Sequence, residues 1–400
     1  MSVAETSHFR NKLLDGQKKT IVLLFIYAIT IVIILPLFFK WQVPVVSPFT
    51  RHTVRAFTTL LIFGILAGIY VRERHYLDRN RCFSLVYFIL ILTLIVNKIH
   101  NVNVDHVRDL FPSMSNLSWQ ELMQSSIMNG DPAALPHSYR FFPNCVVRWM
   151  ELGGLSYPSG RDIYRQIFGM LLFYAIYRYA RLYTTYLGAI VSMLLVAAIS
   201  PISFMRYAGQ LTDPASHLSF VLALIFLETA DFASLIAALA IGSLAKETVL
   251  AMAGYYVLFS REDPLYKRRV LTLVAVVLAA YFGVRLLILR GALHYQQVSG
   301  TSYDHVWGNV RGSGWVALFL LTACSLLPFL LISWRSTPLS LKRQYCFLLP
   351  VLFVSSALFS WLHEARNYMP LAFILAVVTS RYLISEHSQL VTDPLRNARS

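Results

Sequence analysis

Apolar runs long enough to cross a bilayer recur along the chain, and they limit its fold more than any other feature. A hydrocarbon core about 30 Å thick needs roughly 20 helical residues, or fewer where neighbouring helices shield a short one; on this criterion we predict about twelve spans. The predicted spans are Ile21–Phe39, Ala56–Tyr70, Phe83–Asn97, Tyr164–Tyr177, Tyr186–Ile202, Ser216–Leu227, Phe232–Leu244, Val249–Phe259, Val270–Leu289, Trp315–Trp334, Tyr345–Trp361 and Pro370–Ile384. Hydrophobic residues make up 56% of the chain and charged residues 14%, which excludes an ordinary soluble domain. The sequence therefore predicts an all-α fold, a polytopic transmembrane helical bundle.

The predicted spans form one integral membrane domain that covers residues 1–400. Within it, residues 21–98 hold the first three spans, 99–163 a long periplasmic loop, 164–384 the remaining spans, and 385–400 a cytoplasmic tail. The two runs on either side of Lys246 are short. They leave open a single re-entrant hairpin at this point instead of two crossings.

Basic residues alternate between the loops, and this alternation predicts the orientation of the spans. The chain carries 35 Lys and Arg against 20 Asp and Glu, a net charge of +15, and the basic residues collect in every second loop. Because Lys and Arg resist translocation, we expect these loops and both termini on the cytoplasmic side, with the other loops facing the periplasm. The charge thus reports topology in what we expect to be a bacterial inner membrane, and it does not indicate a nucleic-acid partner.

The long outer loop contains an amphipathic segment between Trp119 and Met128. Apolar side chains recur there at helical spacing: Trp119, Leu122, Met123 and Ile127. This spacing predicts a helix that lies in the membrane interface with its apolar face toward lipid.

Two acids in the same loop are candidates for a catalytic base. Asp105 and Asp109 follow the third predicted span directly, within the stretch from Asn103 to Asp109. A carboxylate just outside the bilayer can accept a proton from a hydroxyl. The alternative is a solvated loop in which His106 and Arg108 form local ion pairs with these acids.

Four further outer segments carry candidate substrate contacts, and the first two lie around Arg140 and Lys246. Tyr139 and Arg140 precede Pro143, and an arginine is the best donor for phosphate oxygens, although an arginine beside aromatic residues also serves as an interfacial anchor. Lys246 and Glu247 lie between two apolar runs, where charges are costly unless they are paired or placed at a water-filled vestibule.

Near the end of the chain, Glu364 and Arg366 join the last two predicted spans, where Arg366 either binds a phosphate or ends a helix. Asp213 precedes Pro214 at the start of the sixth span, and this pattern favours a helix N-cap over a catalytic role.

Common motifs for other chemistries are missing from the sequence. We find no glycine-rich phosphate loop, no H-E-x-x-H, no paired-cysteine motif, no G-x-S-x-G and no D-x-D pair of acids. Nucleotide hydrolysis is therefore not expected, and no metal or other cofactor is predicted.

Taken in order, these segments resemble the GT-C superfamily of polytopic membrane glycosyltransferases. The resemblance covers about Asn103 to Tyr368 and rests on four elements: Tyr139-Arg140-Phe141-Phe142-Pro143, Thr212-Asp213-Pro214, Lys246-Glu247-Thr248 and Glu364-Ala365-Arg366-Asn367-Tyr368. It implies transfer of a sugar from a polyprenyl-phosphate carrier, as the donor substrate, to a hydroxyl of a surface polysaccharide or lipid-linked glycan at the periplasmic face.

The resemblance also implies roles for particular residues. Asp105 or Asp109 would act as the base, while Arg140, Lys246 and Arg366 would contact phosphate. The sequence departs from the family pattern ahead of the amphipathic helix, where Asn116-Leu117-Ser118 replaces the expected acid. Two alternatives remain open at this point: an O-antigen polymerase or ligase that also acts on lipid-linked glycans, and a transporter or flippase.

Overall fold

The structure, a computed structural model, describes residues 48–106, 116–129, 139–204, 211–288, 307–308, 326–359, 362 and 364–392. These residues form thirteen α-helices and contain no strand, so the all-α prediction is confirmed for them. The helices are α1 (Pro48–Glu73), α2 (Arg79–His106), α3 (Asn116–Met128), α4 (Phe141–Leu152), α5 (Tyr157–Arg181), α6 (Tyr186–Ile199), α7 (Asp213–Glu228), α8 (Phe232–Ala245), α9 (Ala251–Phe259), α10 (Tyr266–Ile288), α11 (Leu327–Ile332), α12 (Leu339–Phe359) and α13 (Met369–Thr392). Short 3-10 segments lie at Ser200–Phe204, Glu247–Leu250 and Ala365–Tyr368.

Two helical segments are long and apolar enough to cross a membrane, Arg79–Asn101 and Ala365–Ile384. At 1.5 Å per residue they measure about 35 and 30 Å. They coincide with the predicted spans at Phe83–Asn97 and Pro370–Ile384. Three further apolar helices are shorter: Tyr186–Ile199, Phe232–Ala245 and Glu247–Phe259.

A bundle of about twelve spans is therefore not confirmed. The predicted span Ile21–Phe39 and most of Trp315–Trp334 lie outside the described residues. Several other predicted spans form helices that fall short of a full crossing in length or in uninterrupted apolar character. The helix α8, for example, is 14 residues long. It measures about 21 Å, which is less than the roughly 30 Å of a hydrocarbon core.

The described residues fall into two compact units. The first unit contains the described parts of 1–54, 118–164 and 211–298, and α7, α8, α9 and α10 pack together in it with α4 against α8. The second unit contains the described parts of 55–117, 165–210 and 299–400, in which α13 packs against α6, α11 and α12. Along the chain, the division between the units falls inside α1, α3 and α5.

Large apolar side chains are exposed on one face of several helices. On α10 of the first unit they lie at helical spacing: Leu271, Val274, Leu278 and Phe282. In the second unit the same pattern occurs on α1 and α2, at Leu60, Phe63, Val71, Phe83, Tyr87 and Leu94. Exposed apolar stripes of this kind are uncommon on soluble monomers and mark surfaces that contact lipid or a partner.

The predicted amphipathic helix is present as α3, but its buried face differs from the expected one. Ile127 is buried as part of the apolar set, whereas Leu122 is exposed. The buried face also carries two polar residues, Gln120 and Gln124. Their amides form hydrogen bonds inside the first unit, which explains why polar residues occupy this face.

Candidate functional site

The site is built on an antiparallel hairpin of α7 and α8 in the first unit. The two helices approach closely at Gly242, where an added Cβ would lie 2.6 Å from the Cβ of Ser219 and 2.9 Å from Cγ1 of Val249. A residue larger than glycine does not fit between α7, α8 and the following turn without displacing one of them. At the far end, the Asp231 side chain caps α8 by accepting a hydrogen bond from the backbone N–H of Ser234 at 3.2 Å.

The chain turns sharply where α8 ends at Ala245. Lys246 has an extended backbone, and its N–H donates to the carbonyl oxygen of Gly242 at 2.8 Å. The 3-10 segment then starts at Glu247, and the N–H of Val249 donates back to the carbonyl oxygen of Lys246 at 3.2 Å. The chain thus makes a tight turn between the two apolar runs, and it holds Lys246 with 7% of its surface exposed.

An apolar contact brings α4 to this turn. Phe141 and Cys145 of α4 form a buried cluster with Met128 of α3 and Leu244 of α8. The cluster fixes the start of α4 beside the end of α8. Arg140 immediately precedes Phe141, so the packing places Arg140 next to the turn.

Arg140 and Glu247 form a two-pronged ion pair. The Nη2 group of Arg140 donates to Oε1 of Glu247 at 2.8 Å, and its Nε group donates to Oε2 at 3.1 Å. The two side chains are 14% and 26% exposed, so the pair is shielded but reachable from solvent. Such parallel hydrogen bonds fix the plane of the guanidinium group, which is the group best suited to bind phosphate oxygens.

Asp213 lies at the same end of the hairpin as Lys246. Because Ser219 lies opposite Gly242 in an antiparallel pair, residues that precede Ser219 face residues that follow Gly242. Asp213 is buried, with 4% of its surface exposed. The prediction that it is the N-cap of α7 is wrong, because Asp213 is the first residue of the helix itself. The N-cap position is held by Thr212, whose side chain makes no capping hydrogen bond. A carboxylate in the first turn is favoured by the helix dipole.

Tyr139 completes this group, because it directly precedes Arg140 and is buried. Five predicted residues lie in this part of the first unit, with Arg140 and Glu247 in direct contact, and we call it the hairpin end: Tyr139, Arg140, Asp213, Lys246 and Glu247. Side chains from residues more than 100 positions apart meet there, with two acids and two bases among them.

The remaining predicted residues belong to the second unit or lie outside the described residues. In the 3-10 turn before α13, Oε2 of Glu364 accepts hydrogen bonds from Arg366 Nη2 at 2.8 Å and from Asn367 Nδ2 at 3.2 Å. All three residues are buried. Asp105 lies in the last turn of α2, where the backbone alone is described, and Asp109 lies outside the described residues.

One polar network of the first unit was missed by the sequence analysis. Nε2 of Gln124 donates to Oε2 of Glu151 at 3.1 Å, and Nε of Arg161 donates to Oε1 of Gln120 at 3.1 Å. Burial raises the pKa of Glu151, against the opposing effect of its bonds from Gln124 and Arg148. The four-residue spacing of Gln120 and Gln124 on a helix was the available signal for this network.

No group of three or more His, Cys, Asp or Glu that could hold a metal ion occurs among the residues that the structure describes. The expectation that no metal is required stays a prediction.

Comparisons of the chain with protein-family models, with curated proteins and with solved structures found no match to any of the three.

Proposed function

We propose that the protein is a membrane glycosyltransferase of the GT-C type, acting at the periplasmic face of the bacterial inner membrane. It moves a sugar from a polyprenyl-phosphate carrier to a hydroxyl of a surface polysaccharide or lipid-linked glycan. The observation that carries the proposal is the hairpin end, where the Arg140–Glu247 pair lies beside the buried Lys246.

This arrangement suits a phosphate leaving group. When the acceptor oxygen attacks the anomeric carbon, the bond from that carbon to the phosphate oxygen breaks, and the phosphate gains negative charge. Donors that are already oriented stabilise such charge without rearranging during the reaction. Glu247 orients Arg140, and the tight turn fixes the backbone of Lys246. In the proposal, both cations are therefore oriented before the substrate arrives.

The acceptor hydroxyl must also lose a proton as it attacks. The family resemblance assigns this proton to Asp105, in the last turn of α2, or to Asp109, which lies outside the described residues. The acids of the hairpin end suit the role less well, because the Glu247 carboxylate is bound by Arg140 through both oxygens. A carboxylate stabilised by a cation is a weaker base.

Exposed apolar stripes support the membrane location. Leu271, Leu278 and Phe282 of α10 lie on one exposed face, and α1 and α2 carry similar faces. Exposing so much apolar surface to water is unfavourable by about 25 cal/mol per Å². Lipid contact removes this cost, and two helices of about 30 Å or more are long enough to cross the bilayer.

The test is mass spectrometry of surface glycans from cells with and without the gene, complemented with variants. We expect deletion to remove one hexose-sized mass per glycan repeat, and Arg140→Ala to do the same at normal protein level. Arg148→Ala is the matched control, because Arg148 lies on the same helix but is 44% exposed and pairs with Glu151 at 3.5 Å. Asp105→Asn and Asp109→Asn, made singly, identify the base.

The outcomes separate the alternatives. A change in glycan chain length would identify a polymerase or ligase instead, and unchanged glycans would leave a transporter. Equal activity of the Arg140→Ala and Arg148→Ala proteins would refute the role of the hairpin end. Full activity of both aspartate variants would refute the assignment of the base.

A further inference from the structure

One end of the second unit concentrates basic and aromatic residues from three turns. The turns are those between α1 and α2, between α5 and α6, and between α11 and α12. Together with Arg381 of α13 they carry ten Lys and Arg residues but two acids, Glu73 and Asp78. We call this set the basic end: Arg72, Arg74, Arg79, Arg81, Arg178, Arg181, Arg335, Lys342, Arg343 and Arg381.

Side-chain contacts show that the three turns lie together. The hydroxyl of Tyr186, at the start of α6, donates to the carbonyl oxygen of Arg81 at 3.1 Å. Oγ of Ser340, at the start of α12, lies 3.3 Å from the hydroxyl of Tyr183, and Nη1 of Arg381 donates to the carbonyl oxygen of Tyr183 at 3.0 Å. The basic residues therefore form one surface of the second unit.

The two acids do not neutralise this surface. Glu73 is buried, and its Oε1 accepts hydrogen bonds from the Tyr174 hydroxyl at 2.8 Å and from Arg178 Nη1 at 2.9 Å. Asp78 is bound to Arg81, with 3.1 Å between Oδ2 and Nε. Most of the arginines remain exposed, and a surface with this excess of positive charge attracts anions.

Aromatic residues are interleaved with the cations, and an apolar flank adjoins them. Arg178 lies 5.9 Å from the ring centre of Tyr76, and Lys342 lies 5.2 Å from that of Trp334. Tyr76 and Trp334 are exposed, as are Leu331 and Ile332 on the preceding helix α11. Arg and Lys beside Tyr and Trp at the border of an apolar surface is the pattern of the membrane–water interface.

We propose that the basic end is a binding surface for the headgroups of anionic phospholipids in the adjoining leaflet. The charge excess is complementary to phosphate headgroups, and the exposed apolar side chains beside it place the surface at headgroup depth. The inference rests on the proposed membrane location but is independent of sugar transfer. It assigns a lipid contact to residues that the glycosyl-transfer proposal does not use.

Native mass spectrometry of the purified full-length protein in neutral detergent tests this surface. Phosphatidylglycerol and phosphatidylcholine with the same acyl chains are added separately, and the apparent affinities are compared. We expect preference for phosphatidylglycerol, and the combined change of Arg72, Arg74 and Arg335 to Gln should weaken it roughly 100-fold at low ionic strength, about five-fold per arginine. These arginines are exposed, so the variant should remain folded, as its melting temperature will show.

The matched control changes Arg261, Lys267 and Arg268 to Gln, which alters the net charge equally in an exposed turn of the first unit. It should retain the preference. Equal weakening in both triple variants would show an effect of net charge alone and overturn the proposal, as would similar affinity for the two lipids. Displacement of phosphatidylglycerol by millimolar inorganic phosphate would also overturn it, by revealing a simple anion site. None of these readouts requires sugar transfer.

Discussion

Breaking the Arg140–Glu247 ion pair should destabilise the protein more than breaking another pair of the same kind in the same unit. The pair has two hydrogen bonds between charged groups, at 2.8 and 3.1 Å. A hydrogen bond to a charged group contributes about 1.5–3 kcal/mol to stability. Solvent screening at 14% and 26% exposure reduces this, so we expect a coupling free energy of about 2 kcal/mol for the whole pair.

A double-mutant cycle measures this coupling. The variants are Arg140→Met, Glu247→Gln and the double variant, since methionine cannot replace the hydrogen bonds of arginine. The unfolding free energy is measured in mixed micelles titrated with sodium dodecyl sulfate. The coupling is the amount by which the double variant departs from the sum of the single variants.

The control cycle uses Arg148→Met and Glu151→Gln on α4. That pair has one contact, at 3.5 Å, with Arg148 44% exposed, so its coupling should be about 0.3–0.5 kcal/mol. A coupling for Arg140 and Glu247 no larger than this control would refute the conclusion that their two short hydrogen bonds make the pair stronger than that of Arg148 and Glu151.

Two further predictions concern packing and pH. Gly242→Ala should lower the unfolding free energy by about 1–3 kcal/mol, because the added Cβ collides with Ser219. Gly283→Ala on α10 is the control, since its Cβ meets no atom within 4 Å, and it should be neutral or slightly stabilising in the same titration. Equal effects would contradict the close approach of α7 and α8. Burial raises the pKa of Glu151, so the folded protein holds this proton more tightly than the unfolded chain, and stability should fall as the pH rises above the ordinary glutamate pKa. The difference in unfolding free energy between wild type and Glu151→Gln, measured from pH 4 to 8, should show that fall. Partial burial opposes the shift at Asp263, but bonds from Tyr256, Leu265 and Arg269 lower its pKa below the ordinary aspartate value. The comparison of wild type with Asp263→Asn, extended below pH 4, should therefore show the opposite trend, stability lost as the pH falls. Parallel trends would contradict both assignments.

The residues of the hairpin end were identified from the sequence, but the contact between Arg140 and Glu247 was not. Arg140 and Glu247 are 107 residues apart, and no local pattern pairs them. Their contact depends on Phe141 and Cys145 packing against Leu244, and apolar packing partners cannot be read from periodicity. The helical character of the apolar runs was predictable, because a hydrophobic segment of this length satisfies its backbone hydrogen bonds as a helix.

Burial on α3 is decided by tertiary contacts that the sequence does not reveal. Gln120 and Gln124 take buried positions on α3 because Arg161, Glu151 and the backbone of α4 offer them partners. Hydrophobic periodicity predicts that the apolar residues of a helix are buried, and it does not predict buried side-chain amides whose hydrogen-bond partners are distant in sequence. Helix bounds were predictable in one case, since the predicted span Phe232–Leu244 matches α8 to within one residue of its end at Ala245. That end is set by the extended backbone of Lys246.

The short helices around Lys246 also bear on the two topologies that the sequence leaves open. Phe232–Ala245 and Glu247–Phe259 measure about 21 and 20 Å, so neither crosses a core of about 30 Å without help from its neighbours. A re-entrant hairpin needs no full crossing, and it would place the Lys246 turn below the membrane surface. A lysine at that depth is costly unless it faces the protein interior and lies near acids. Lys246 meets this condition, since it is buried, follows α8 at the end that Asp213 shares, and adjoins Glu247. The helix lengths therefore favour the re-entrant alternative, in which a lipid-linked phosphate could reach the two cations without leaving the bilayer.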